Sequence, residues 1–149
     1  MEENMVLKLK KVRPEAQLPQ RQTEGAAGYD LCACLEAPVS IAPGETVMIP
    51  TGLAVEIPAG YVGLVFGRSG LALKRDLAPA NKVGVIDSDY RGELKTAIHN
   101  HGSAVQTVEP GERIAQLVVV PYLTANFTET DQLSDTARGV GGFGSTGTR

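Results

Sequence analysis

The residues best suited to chemistry stand in NKVGVIDSDYRGELK, residues 81–95, where acidic side chains directly follow an apolar run. Asp87 comes immediately after VGVI, so we expect it at a strand end, partly buried, in a hairpin between two strands. A carboxylate held there can orient a water molecule and accept its proton. Tyr90 stands three residues later, where its ring can pack against a sugar. A solvated polar turn would account for Asp89 and Arg91, but less well for Asp87.

The C-terminal stretch RGVGGFGSTGTR, residues 138–149, is a second candidate, because five of its twelve positions are Gly. Successive glycines let backbone N–H groups converge on one anion. A Walker A motif is excluded, since Ser145 stands where that motif requires Lys. Arg138 offers a charged contact to phosphate, and Phe143 offers a face on which a base can stack. A flexible tail without a ligand is the alternative, and these residues alone leave both open.

A further phosphate site is predicted in FGRSGLALK, residues 66–74. We expect a short helix over residues 68–75, the best helix candidate in the chain. Arg68, the Ser69 hydroxyl and backbone amides near the helix start all favour an anion there.

Polar residues also interrupt two apolar stretches. Asp30 lies among small and apolar residues in AGYDLCA, so it requires a partner, either an Arg or a hydrated metal ion. Gln116 occupies a strand position where alternation predicts an apolar residue, so it is either satisfied by the backbone or directed at a ligand.

His99 and His101 lack further metal ligands at suitable spacing and overlap a turn signal, which predicts a surface turn.

The elements that must position these residues are short strands between Gly and Pro turns, a pattern typical of an all-β sandwich or barrel. The turn sequence PGE occurs at Pro43 and Pro110, and its Pro-Gly centre predicts a type II turn in both places. Beyond about residue 122 the periodicity ends. We therefore expect a single domain over residues 1–149, with a core over 1–122 and a C-terminal arm over 123–149. The predicted strands are 5–12, 29–34, 46–57, 61–67, 82–86, 93–100 and 113–122.

Composition excludes several classes of protein. The net charge of −3 provides no general attraction for nucleic acid, and the longest apolar run, LVVV, is far too short to span a membrane. The N-terminal residues lack the apolar region of a signal peptide. Cys32 and Cys34 are too close in sequence to bond, and we expect two small buried side chains in a reducing compartment. These features predict a cytoplasmic protein.

Five stretches, in order, resemble the five motifs of the trimeric dUTP pyrophosphatases: AGYDLCA, GRSGLA, GVIDSDYRG, GERIAQL and RGVGGFGSTG. The likeness runs from about Glu24 to Gly147, nearly the whole chain. It implies a jelly-roll-like β-barrel and a homotrimer with three active sites between subunits. It also implies that the C-terminal arm of one chain closes the site of another, so that substrate and neighbouring chains order the arm.

The resemblance further implies the reaction and the recognition of the nucleoside. Asp87 activates the water that attacks the α-phosphorus of dUTP, which gives dUMP and pyrophosphate. Tyr90 packs under the deoxyribose and leaves no room for a 2′-hydroxyl. Asn81 and the backbone of Val85 and Ile86 meet the uracil, where a thymine methyl group would clash.

Further contacts come from the same resemblance. Lys95 lies near the uracil, Phe143 stacks on it, and Asp30 supports the site through water or an Arg. Mg²⁺ is implied as the cofactor, held by the triphosphate and water rather than by protein ligands. One departure is Gly67, where the family often has Pro. The implied phosphate contacts are Arg68, Ser69 and Gly70 from an adjacent subunit, Gln116 at the α-phosphate, Arg138 at the γ-phosphate, and Gly144, Ser145 and Thr146 over the phosphate chain.

Two alternatives share this fold. The dCTP deaminases carry a catalytic Glu three residues before the Asn that ends the strand at Asn100, whereas this chain has Ala97 there, which moves no proton. A non-catalytic nucleotide-binding protein is the other alternative, but such a protein needs no water activator like Asp87.

Overall fold

A computed structural model of the chain describes residues 4–148, whose regular secondary structure consists of antiparallel strands and one short helix. The helix predicted over 68–75 is confirmed as α1, Ser69–Arg75. The described residues contain no helix with the length and apolar character needed to cross a membrane. The strands are β1 Lys8–Lys11, β2 Tyr29–Cys32, β3 Val39–Ile41, β4 Thr46–Glu56, β5 Tyr61–Phe66, β6 Leu77–Pro79, β7 Val83–Ile86, β8 Glu93–Asn100, β9 Gln106–Val108 and β10 Arg113–Pro121.

Two four-stranded sheets form the body of the fold, in the orders β1-β4-β8-β6 and β2-β10-β5-β7, and β3 pairs with β9. This arrangement confirms the all-β, jelly-roll-like fold. The barrel that the resemblance implies is not closed in the part of the chain that the structure describes. No ladder joins an edge strand of one four-stranded sheet to the other, so the two sheets remain separate layers.

The core lies between these layers and follows the period of two that strands impose. Along β8, Leu94, Thr96, Ile98 and Asn100 are buried, while Lys95 between them is exposed. The buried Asn100 is fully satisfied: its Nδ2 donates to two backbone carbonyls at 2.9 and 2.7 Å, and its Oδ1 accepts from a backbone N–H at 2.9 Å. β8 is therefore fixed in register, which matters because it borders the candidate site.

The two PGE turns are built alike, as the repeat predicted. Gly44 and Gly111 have positive φ angles of 78° and 80°, as the third position of a type II turn requires. In each turn the following glutamate accepts a hydrogen bond from the backbone N–H three residues earlier, at 3.0 Å for Glu45 and 2.9 Å for Glu112. The strands that precede the turns, β3 and β9, pair with each other.

Several local expectations were wrong. The strands β3, β6 and β9 were missed, because three residues are too few to display alternation. His99 belongs to β8 and its Nδ1 lies 2.8 Å from the Thr46 hydroxyl, so only His101 lies past the strand end. Cys32 and Cys34 are free but half-buried rather than buried: Cys32 ends the edge strand β2, and Cys34 lies past its end. Burial still raises the pKa of both thiols.

The predicted hairpin at residues 81–95 was also wrong. β7 pairs only with β5, whereas β8 pairs with β4 and β6 in the other sheet. The loop over 87–92 therefore crosses from one layer to the other. Its two flanking strands diverge, which opens space beside the loop that a tight hairpin would fill.

Helix α1 ends in an unusual way, because Asp76 adopts the left-handed conformation, with φ 54° and ψ 31°. That conformation strains residues with a Cβ atom, and helices commonly end on Gly there. We expect Asp76→Gly to raise the free energy of unfolding by about 0.5–1 kcal/mol. Urea unfolding at fixed protein concentration measures the change. Lys74→Gly, in the same helix, is the matched control and should lower stability by about 1 kcal/mol; a loss in both variants would contradict the interpretation.

Candidate functional site

A cavity of about 360 Å³ opens beside the loop that joins β7 to β8. A smaller cavity of about 100 Å³ adjoins it, since Met48, Ile86 and Lys95 line both. The residues predicted to contact the nucleoside, except Phe143 in the arm, line these two cavities. Val85, Ile86, Asp87, Tyr90 and Lys95 line the larger cavity with Met48, Glu93 and Leu94, and Asn81 lines the smaller one.

The loop itself is a compact turn. The Tyr90 N–H donates to the Asp87 carbonyl at 3.1 Å, and the Tyr90 hydroxyl donates to the Glu93 carbonyl at 2.9 Å. A Cβ atom at Gly92 would lie 2.4 Å from that hydroxyl, so the ring lies against a position that only Gly fits. Asp87 is exposed, not partly buried as predicted, because β7 ends at Ile86 and the turn carries the carboxylate outward. Its side chain is thus accessible from the cavity.

Glu93 was missed by the sequence reasoning, although it borders the cavity. Its Oε2 accepts hydrogen bonds from Arg13 Nε at 2.8 Å and from the Gly52 N–H at 2.9 Å. Gly52 has a φ of 73° and lies where the register of β4 and β8 shifts, between Pro50 and Ala54. The carboxylate therefore satisfies a backbone N–H at this irregularity. The Arg13 contact is the main reason that the pKa of Glu93 is lowered.

A second group of predicted residues surrounds Asp30. This buried carboxylate accepts from Arg68 Nε at 3.1 Å and from Arg113 Nη1 at 3.4 Å, so its partner is an Arg, one of the two expected possibilities. Arg68 precedes α1, and its side chain does not cap the helix. Ser69 and Gly70 follow it and are exposed. The Arg68 guanidinium and the first residues of α1 therefore lie next to each other.

Gln116 lies on β10, beside Asp30 in the register of β10 and β2. Its Nε2 donates to the Gly67 carbonyl at 2.9 Å, so the amide is satisfied by the backbone. A Cβ atom at Gly28 would lie 2.2 Å from Gln116 Oε1, so a side chain there would displace the amide. Gly67, where the family often has Pro, thus still supplies the backbone carbonyl that orients the Gln116 amide.

The arm forms the third group and contacts neither of the others. The described residues 122–148 contain no helix or strand, and their hydrogen bonds are local, except that Tyr122 donates to Gly60. Arg138 Nε donates to the Gly141 carbonyl at 2.5 Å, and Phe143 is fully exposed. The remaining predicted arm contacts, also exposed, are Gly144, Ser145 and Thr146.

Sheet geometry keeps the first two groups apart as well. The cavity lies at β7, β8 and the loop between them, whereas Asp30, Arg113 and Gln116 lie on β2 and β10, which do not neighbour β7 in the sheet. Two to three strand spacings separate β10 and β2 from β7, about 10–14 Å. The residues that the sequence predicts to act together therefore occupy three separate places on one chain.

Comparisons with known proteins show which family the chain belongs to. A family model described as dUTPase matches residues 14–147. The chain belongs to the dUTPase family. The deoxyuridine 5'-triphosphate nucleotidohydrolase of Desulfitobacterium hafniense is 57% identical over 131 residues, 87% of either chain. The corresponding Paraburkholderia phymatum protein is 46% identical over 142 residues, 95% of this chain and 96% of that one.

Solved dUTPases share the fold along nearly the whole chain. The dUTPase of Staphylococcus bacteriophage 80alpha with dUpNHpp superposes with a TM-score of 0.90 at 32% identity, covering 97% of this chain and 100% of that one. A mutant dUTPase from phage phi11 of S. aureus has a TM-score of 0.78 at 28% identity, covering 86% and 98%. Family membership confirms the dUTP diphosphatase activity expected from the five motifs and does not favour the deaminase or non-catalytic alternatives.

The contacts of Glu93 lead to a pH-dependent prediction. Because its pKa is lowered in the folded chain, its contribution to stability is present above the ordinary value of 4.5 and is lost as the pH falls through the folded value. We expect Glu93→Gln to be less stable than the unsubstituted chain at pH 7, and the difference to shrink below pH 4.5. Urea midpoints of both proteins across this range test the prediction. A gap that stays constant with pH would contradict it.

Proposed function

We propose that this chain hydrolyses dUTP to dUMP and pyrophosphate at sites that neighbouring subunits of a homotrimer build together. Such a reaction keeps uracil out of DNA and supplies dUMP for thymidylate synthesis. The observation that carries the proposal is the division of the site residues among three separate places on one chain. A site assembled from several chains resolves that division, because each chain contributes a different part.

The cavity at β7 and β8 is the nucleoside site in this proposal. Asn81 and the backbone of Val85 and Ile86 contact the uracil, with Lys95 beside it. Tyr90, held by its hydrogen bond to the Glu93 carbonyl, packs under the deoxyribose. A ring fixed in this way excludes a 2′-hydroxyl by its position, so dUTP is selected over UTP.

Asp87 is the general base. Its exposed carboxylate lines the same cavity, so it can hold a water molecule next to the α-phosphorus and accept its proton. The water oxygen bonds to the α-phosphorus while the bond to the bridging oxygen breaks, and pyrophosphate leaves. Gln116 contacts the α-phosphate, and Arg68, Ser69 and Gly70 of an adjacent subunit contact the phosphate chain. Catalysis then rests mainly on positioning and neutralisation of charge.

Mg²⁺ fits this arrangement as a cation that the substrate carries in. The described residues contain no group of His, Cys, Asp and Glu that could hold a metal ion, and Mg²⁺ is usually bound by phosphates, waters and few carboxylates. The phage phi11 dUTPase, to which the chain is similar, is described with a structural Mg(II) ion. When bound, the ion supplies neutralisation of the phosphate oxygens, while Asp30 supports the site through Arg68.

The outer face of the sheet β2-β10-β5-β7 supports subunit contact. Its strand register places Val118 beside Leu64 and Val120 beside Val62, with Phe66 at the end of the row. These side chains are only partly buried in one chain. A contiguous apolar face of this kind is typical of a protein interface, and the number of subunits, three, follows from the resemblance.

The arm supports exchange between subunits. Leu123, Phe127 and Phe143 are 96%, 98% and 115% exposed, so the arm buries nothing against its own core. Ordering the backbone costs about 1–2 kcal/mol per residue. In our proposal the triphosphate and a neighbouring chain offset that cost: Arg138 meets the γ-phosphate, Phe143 stacks on uracil, and Gly144, Ser145 and Thr146 cover the phosphates. The free thiols of Cys32 and Cys34 fit a cytoplasmic setting.

We expect Asp87→Asn to retain binding of dUpNHpp but to lose about 10²–10⁴-fold in kcat, because the amide cannot accept the proton. Product analysis with dUTP, UTP, dTTP and dCTP in Mg²⁺ measures both selectivity and turnover. Asp89→Asn is the matched control and should retain most activity, because Asp89 does not line the cavity. Normal turnover by Asp87→Asn would overturn the assignment of the base.

The arm exchange has its own test. Asp87→Asn and a variant lacking residues 138–149 should each be inactive, yet each should fold. Co-expression of the two variants in equal amounts should restore about a quarter of full activity to the whole population of trimers, because in about a quarter of all sites a truncated chain receives the arm of an Asp87→Asn chain. Mixtures that stay inactive would show that the arm serves its own chain. Loss of the fold on truncation would show that the arm belongs to the core.

A further inference from the structure

Helix α1 is held to the body of the protein mainly by charged contacts. Leu71 is its only buried residue, so apolar packing fixes the helix poorly. Its last residue, Arg75, donates to the Glu112 carboxylate and to the Thr107 carbonyl. Arg68, just before its first residue, donates to Asp30. Both ends of the helix are therefore attached by an arginine.

These attachments converge on one place. Arg113 donates to the same Asp30 carboxylate that binds Arg68, and Arg113 directly follows Glu112, the partner of Arg75. Arg68 and Arg113 both bind Asp30, and Arg75 binds Glu112, which is the residue before Arg113. Helix α1 connects Arg75 back to Arg68, so these five residues form a closed ring of contacts.

The start of β10 is itself rigid, so it can serve as the anchor. The second oxygen of Glu112 accepts from its own turn at 2.9 Å, and its carbonyl accepts from Ala33 N–H at 2.8 Å. Arg75 and Glu112 side chains are only 26% and 25% exposed. Removal of either residue would therefore leave the other as a largely buried charge without an opposite charge beside it, which drives local rearrangement.

We propose that Arg75 and Glu112 are positioning residues for phosphate binding: they hold the far end of α1, so that Arg68, Ser69 and Gly70 point at the triphosphate. This inference rests on the proposed function, in which those three residues contact the phosphates. Neither Arg75 nor Glu112 lines the nucleoside cavity. Their loss should therefore weaken contacts to the phosphate chain and leave the nucleoside contacts unchanged.

The test compares two ligands in the full-length protein. In Arg75→Met, we expect dUpNHpp affinity and kcat/KM for dUTP to fall about tenfold, mostly through KM, because small displacements of binding groups are costly. Affinity for dUMP, which lacks the β- and γ-phosphates, should stay within about twofold. Arg75→Lys, which keeps a cation that can donate to Glu112 and Thr107, should retain most of the affinity that Arg75→Met loses. Lys8→Met, which removes a cation from an exposed ion pair with Glu56, is the control and should change neither ligand.

Three results would overturn the inference. They are unchanged dUpNHpp affinity in Arg75→Met, an equal loss for both ligands alongside a lower urea midpoint, and a loss in a folded Arg75→Lys variant as large as that in Arg75→Met. Failure of the proposed function is distinguishable, because the unsubstituted chain would then neither bind dUpNHpp nor hydrolyse dUTP.

Discussion

The spacing of β-strands is the constraint on which the site depends. The proposed base, Asp87, follows β7 at one edge of a four-stranded sheet, whereas Asp30, Arg113 and Gln116 lie on β2 and β10, two to three strand spacings away, about 10–14 Å. In the proposed function association is part of the chemistry, because the outer face of the same sheet supplies the apolar contacts that bring a second chain close.

Charged residues hold the segment that we propose to bind phosphate. A helix of seven residues with one buried side chain gains little from apolar burial. Ion pairs of Arg68 and Arg75 at its two ends hold it in place instead. A buried carboxylate shared by two arginines, as at Asp30, is also satisfied before any ligand arrives. The binding segment is thus formed in advance, whereas the arm is not.

The sequence revealed the parts of the site that lie close together along the chain. Asp87 and Tyr90 were found because both follow one apolar run, and Gly44 and Gly111 because a turn is a local structure. Glu93 was missed, since its role depends on a register shift between β4 and β8 that brings Gly52 to it. Strand alternation alone places Glu93 on the same face of β8 as the exposed Lys95, so it gives no reason to single out Glu93.

Pairings between distant residues were equally inaccessible. Asp30 was predicted to need a partner, but the choice of Arg68 and Arg113, 38 and 83 residues away, follows from the strand order β2-β10-β5. The same limit explains the error at residues 81–95, where two adjacent strands were expected to pair. Two strands that follow each other in sequence can pair or can lie in different sheets. The packing of the two sheets decides which, and a local sequence pattern contains no information on that packing.

An arm without contacts to its own core has a consequence for how the protein is inactivated. Arg138 lies exposed among bends and turns between β10 and Phe143, and exposed loop segments are preferred sites of proteolytic cleavage. In the proposed function, a single cut there would remove the ring that stacks on uracil while breaking no strand, and bound nucleotide would shield the same peptide bond from cleavage.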